Sequence, residues 1–123
     1  MDSGPVSAVI RILSLLLAAS LTACVTRPVP LYAWGQYEEV IYANHANPGA
    51  GDPQSQILIL EKDLQVARAS SARLPPGWHA HLGYLYFQAG KADQAQQEFI
   101  TEKTRFPESA VFMDRLLAKL KTP

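Results

Sequence analysis

The chain has 123 residues, with 11 Lys and Arg against 11 Asp and Glu, so its formal net charge is zero. A protein that tracks nucleic acid neutralises phosphates with an excess of basic side chains, and an anionic membrane surface attracts by the same means; neither excess is present. The lone cysteine, Cys24, has no second thiol in the chain to pair with, which excludes an intramolecular disulfide framework and a cysteine-rich metal site.

Residues 1–7 carry Asp2 and no Lys or Arg, so the first positive charge is Arg11. Ile12, Leu13, Leu15, Leu16, Leu17, Ala18 and Ala19 follow it, and small residues follow them, in the charged, apolar, small-residue order of a secretory signal peptide. The apolar run is shorter than the roughly 20 residues that a permanent membrane helix needs. At its end, Leu21-Thr22-Ala23-Cys24 resembles the bacterial lipobox. That resemblance implies a diacylglycerol on the Cys24 thiol, cleavage before Cys24 and an acyl chain on the new amino group. A single chain of about 14 carbons binds a membrane only marginally, which is the physical reason for more than one. Val25, and not Asp, follows the cysteine, and the same resemblance then implies sorting to the outer membrane, with the protein lipid-anchored and facing the periplasm. The expected organisation is a signal peptide over 1–23, a lipidated cysteine and Pro-rich tether over 24–30, and a folded domain over 31–123. Pro28 and Pro30 favour extended backbone in the tether, which at roughly 3.1 Å per residue spans about 20 Å.

The folded part shows helical stripes and no convincing strand alternation. Trp34, Tyr37 and Ile41 recur at spacings of three and four, which predicts a helix with a buried aromatic face and Gln36 and Glu39 in water. Asn47, Pro48, Gly49 and Gly51 interrupt it. Asp52-Pro53 offers an N-cap and a proline at the first helical position. Ile57, Leu60, Leu64 and Ala67 carry a second helix to about Ala72, before Pro75-Pro76. Residues 31–73 are thus expected to form a helical hairpin.

Next, Leu82, Gly83, Tyr86, Gly90, Ala95, Phe99 and Pro107 fall at the offsets of a tetratricopeptide repeat, a two-helix unit of about 34 residues. Gly83 and Ala95 allow two helix backbones to approach, Leu82, Tyr86 and Phe99 fill the seam, Gly90 turns the chain and Pro107 separates the second helix from the next. Two positions depart from the pattern: Trp78 stands one residue early, with His79 in its slot, and Glu102 occupies a place that is usually small. In the last segment Phe112, Leu116 and Leu120 form a stripe with Met113 and Leu117 beside it, as in a capping helix. One repeat cannot bury its own apolar faces. The fold expected is therefore all-α, a short right-handed tetratricopeptide-like solenoid of about five helices.

Tyr32, Trp34, Gly35, Tyr37 and Glu38, set just after a lipobox and followed by a Leu-Gly-x-x-Tyr repeat, resemble the bacterial family called domain of unknown function 4810. The resemblance covers almost the whole of residues 24–123. It implies a helper lipoprotein at an outer-membrane assembly or secretion system that includes a curli-secretion-channel-like lipoprotein, and it brings no enzymatic activity with it.

The residues themselves offer little chemistry. His79 and His81 lie two apart, about 200° round a helix, so they are not the i, i+4 ligand pair of a helical zinc site. Ser70-Ser71 lacks a nucleophile elbow, Glu38 and Glu39 face different ways, and no phosphate loop is present. No enzyme, metal or cofactor is expected apart from the covalent lipid on Cys24, and a metal-dependent enzyme is the remote alternative. The leading expectation is a protein-binding module in which Ala80, His81, Tyr84 and Gln88 line the inner face of the repeat's first helix, toward an envelope protein partner. The alternative is a structural envelope lipoprotein that stabilises a neighbour without a groove ligand.

Overall fold

A computed structural model describes residues 4–20, 28–49 and 51–121. The chain divides into two compact units, Met1–Pro30 and Leu31–Pro123. In the first unit, α1 (Pro5–Ser20) begins where the Ser7 hydroxyl donates to the Gly4 carbonyl at 2.8 Å. Val6, Ile10, Leu13 and Leu15 are each 60–70% exposed. No helix among the described residues is long and apolar enough to cross a membrane. Cys24 and the rest of the predicted lipobox lie outside the described residues; residues 28–30 are exposed and without regular structure.

The second unit is all-α, and no strand occurs among the described residues. It consists of α2 (Tyr37–Ala46), α3 (Pro53–Ala69), α4 (Trp78–Gln88), α5 (Ala92–Arg105), a 3₁₀ turn (Pro107–Ser109) and α6 (Ala110–Leu120). From α3 onward, helices adjacent in sequence pack on one another, and α4 and α5 approach most closely. Val40, Ile57, Leu60, Trp78, Leu82, Leu85, Phe99 and Met113 belong to one continuous core that draws on all five helices. Among the described residues, the packed core falls within 37–120.

Local chemistry sets the boundaries. The Asp52 carboxylate accepts from the Ser55 N–H at 3.0 Å, with Pro53 at the first helical position, as expected for an N-cap. This bond holds the Asp52 pKa below its ordinary value. The helix stops at Ala69, three residues short of the expected end, because Ser71 turns left-handed (φ 53°) and the Ala72 N–H reaches back to the Ala67 carbonyl at 2.8 Å. Gly90 (φ 73°) reverses the chain between α4 and α5. A Cβ on Gly83 would meet the Phe99 ring at 2.6 Å and the Ala95 carbonyl at 3.2 Å, so the seam between these helices has room only for hydrogen. Because α4 is covered by α3 on one side and α5 on the other, it buries Trp78, His79, Leu82, Gly83, Leu85 and Tyr86, a wider face than a surface helix shows.

Two polar contacts tie the helices. The Tyr86 hydroxyl donates to Glu61 Oε1 of α3 at 2.6 Å; burial first, then this bond and the Glu61 charge, push its pKa far above the ordinary value of 10.0. Glu102 of α5, only 2% exposed, accepts from the Gly77 N–H (2.7 Å) and the Ala80 N–H (3.3 Å) at the start of α4, which has no side-chain cap of its own. The residue that breaks the repeat pattern therefore serves as a cap supplied from another helix.

Two stripes differ from expectation. Trp34 is not part of a helix: the Gly35-Gln36 turn, with Gly35 at φ 52°, ends the period, α2 starts at Tyr37, and Val40 is the side chain it buries. Trp34 is 43% and Ile41 38% exposed, with Tyr37 half-buried. In α6, Phe112 is 59% exposed and Met113 is the buried residue, with Leu116, Leu117 and Leu120 packed beside it. Stripes through 112 and 113 both have helical spacing and differ by 100° of rotation, which periodicity alone does not choose between.

Candidate functional site

The approach of α2 to α4 is fixed before either helix meets a ligand. The Ala33 N–H donates to the Arg73 carbonyl at 2.7 Å, and the Gln36 N–H donates to Asp63 Oδ2 at 2.6 Å. Gly35 is required here twice over, since its φ is positive and a Cβ would fall on the Asp63 carboxylate. Further along α2, the Asn44 and Gln56 side-chain amides exchange two hydrogen bonds of 2.5 and 3.0 Å, which consume the inward polar groups of both.

Between these helices lies a cleft of about 390 Å³. One wall is Ile41, Asn44 and His45 of α2 with Pro48 and Gly49 of the following turn; the other is His81, Tyr84 and Gln88 of α4, at spacings of three and four on one face. Gln88 Nε2 donates to the Tyr84 hydroxyl at 3.0 Å, and both side chains are exposed, Tyr84 by 46%. His81 is half-buried, its ring 6.0 Å from that of Tyr37 and 6.5 Å from that of Tyr84. Its Nε2 is buried without a hydrogen-bond partner, and burial lowers its pKa below 6.5, so the ring is neutral at pH 7.

The structure thus brings together three of the residues singled out in the sequence, His81, Tyr84 and Gln88. Ala80 packs against the core and its N–H belongs to Glu102, so it is not part of the cleft wall. Ile41, His45, Pro48 and Gly49 escaped the sequence reading because they come from the other helix and its turn, across a separation no local pattern spans. His79 turns away from His81, as the 200° argument requires, and its Nδ1 lies 2.6 Å from Glu98 Oε2. Among the described residues no three His, Cys, Asp or Glu side chains converge in a way that could hold a metal ion.

Beside the cleft runs a string of rings. Phe106 meets Tyr32 edge-on at 6.5 Å, Tyr32 meets Trp34 at 6.5 Å, and Trp34 stacks on Tyr37 at 6.4 Å, which in turn meets His81. Burial, then the Glu102 charge, raises the Tyr37 pKa above 10.0. Trp34, Tyr37, Ile41, Tyr42, Glu38 and His45 border a second, shallower hollow of about 350 Å³. A third, of about 110 Å³, lies between Tyr84, Phe87 and Leu116, so Tyr84 borders both it and the cleft. The Tyr32 to Glu38 element therefore supplies the rings at the edge of the α2 face, with Gly35 at its turn.

Residues 31–116 match the family model described as Domain of unknown function (DUF4810). The chain belongs to that family. The DUF4810 match takes in the aromatic element, both walls of the cleft and the Gly83 seam, and it ends inside α6. No curated protein and no solved structure matches the chain.

Proposed function

We propose that this DUF4810 chain is a lipid-anchored lipoprotein of the outer membrane that acts, without enzymatic activity, as a protein-binding accessory factor on the periplasmic side. The observation that carries the binding role is the cleft between α2 and α4, where three side chains of α4 and the α2 wall present apolar surface with polar groups at the edge. The reading of α4 and α5 as a tetratricopeptide-like pair is supported by the Gly83, Ala95 and Phe99 contact and by the Gly90 turn. Such pairs offer the exposed face of their first helix to partners, and Tyr84 and Gln88 lie on that face. The anchor rests on the lipobox order around Cys24, and the kind of partner, an outer-membrane assembly component such as a curli-secretion-channel-like lipoprotein, rests on the family resemblance.

The test is site-specific photo-crosslinking in intact envelopes with a benzoyl-phenylalanine at position 84. A discrete adduct that is lost in a Gln88→Glu, His45→Glu double variant is the expected outcome. Both substituted side chains are exposed, and exposed substitutions shift stability by less than about 0.5 kcal/mol, so a matching melt would show that the loss is local. An adduct that survives the double variant would remove the cleft as the binding site.

A further inference from the structure

The α2 face beside the cleft shares Ile41 and His45 with it and adds Trp34 and Tyr42, which the binding role does not use. Trp34 is 43%, Ile41 38% and Tyr42 72% exposed around one hollow, and Leu31, just ahead of them, is 68% exposed. Large aromatic and aliphatic side chains grouped in water mark a surface that is covered in use. Residues 28–61 contain no Lys or Arg, while Glu38 borders the hollow and Glu39 is exposed nearby. The lining of the hollow itself therefore offers an anionic surface no Lys or Arg to pair with. Trp and Tyr, by contrast, settle at the boundary of a bilayer, where the ring body is apolar and the polar edge stays wet.

Chain length argues the same way. Among the described residues after Cys24, the first backbone group fixed to the domain is the Ala33 N–H, nine residues on. At no more than about 3.6 Å per residue, the chain between them reaches at most roughly 32 Å. With Cys24 held in a bilayer, the point at which the tether enters the domain, and Trp34 next to it, stay within that reach of the lipid. We infer that the patch formed by Trp34, Ile41 and Tyr42 rests on the zwitterionic headgroup layer of the membrane to which Cys24 is anchored, and so sets the orientation of the domain on that surface. This inference rests on the lipoprotein reading above for the anchor, and on the exposed rings for the surface.

The chain suits a direct measurement, because it contains two tryptophans and one cysteine, and Trp78 is fully buried while Trp34 is not. Residues 24–123 include the whole core and are coupled through the Cys24 thiol to a maleimide phospholipid in vesicles of phosphatidylcholine brominated near the headgroup end of its acyl chains. This coupling does not depend on whether cells acylate Cys24; acyl labelling of the full chain in cells decides that separately. The expected result is loss of the exposed tryptophan's emission with a blue shift of what remains, and disappearance of that quenching in Trp34→Phe. Adding anionic brominated lipid should weaken the quenching. Undiminished Trp34 emission in coupled vesicles would overturn the inference, as would quenching unchanged by Trp34→Phe or strengthened by anionic lipid.

Discussion

Glu102 gives both of its carboxylate oxygens to backbone amides of another helix at 2% exposure, an arrangement with a sharp mutational signature. Glu102→Ala leaves the Gly77 and Ala80 N–H groups without their acceptor, at about 1–3 kcal/mol for each orphaned group. Glu102→Gln keeps one acceptor oxygen and loses the charge that complements the helix N-terminus. Urea melts are expected to rank wild type above Gln above Ala; midpoints equal to wild type in both variants would show that neither bond matters. The two tryptophans separate just as clearly. Trp78 is fully buried and Trp34 is 43% exposed, so the roughly 3–5 kcal/mol typical of truncating a buried Trp is expected for Trp78→Ala, and a clearly smaller loss for Trp34→Ala. His81 adds a pH dependence. Burial lowers its folded pKa below the unfolded 6.5, so below pH 6.5 the unfolded chain binds the extra proton. Its contribution to stability is complete above that pH and is lost as pH falls through the window beneath it. The wild-type melting temperature should therefore fall more steeply from pH 7 to pH 5 than that of His81→Phe.

Among the helices, the sequence exposed most of what depends on short-range spacing. Asp52-Pro53, Gly83, Gly90, Ala95, Phe99 and Pro107 each act through a neighbour within one helical hairpin, and each sits where its residue type requires. What escaped were phases and remote partners. The aromatic stripe through Trp34 was interrupted by the Gly35 turn, and the α6 stripe lies one residue later, on Met113. Glu102 caps an amide 25 residues away, a separation at which no periodic pattern applies. The candidate site divides along the same line: its α4 wall is one helix face and was legible, while its α2 wall depends on the Asp63 and Gln56 bonds that place that helix. Gly83 offers the test at this scale. Even one added carbon would lie 2.6 Å from the Phe99 ring, and Gly83→Leu adds four, so an overpacking cost of about 1–3 kcal/mol or more is expected. A thermal midpoint equal to that of wild type would mean that the α4 and α5 backbones do not meet there.

At the scale of the whole molecule, the predicted anchor Cys24 stands apart in sequence from the described core residues, which fall within 37–120. The anchor is therefore tested alongside the fold. Thiol chemistry at the lipobox cysteine is the first step of the expected processing, and a serine hydroxyl does not replace a thiolate as nucleophile toward the lipid donor at neutral pH. Cys24→Ser is therefore expected to abolish incorporation of labelled palmitate, to leave a precursor that still carries residues 1–23, and to leave the melt of the helical domain unchanged. Mass spectrometry of the envelope-derived protein reads the first two outcomes and circular dichroism the third. Normal cleavage and continued acyl labelling in the variant would sink the lipoprotein assignment. A lowered melting temperature would instead show that residue 24 contributes to the stability of the helical domain.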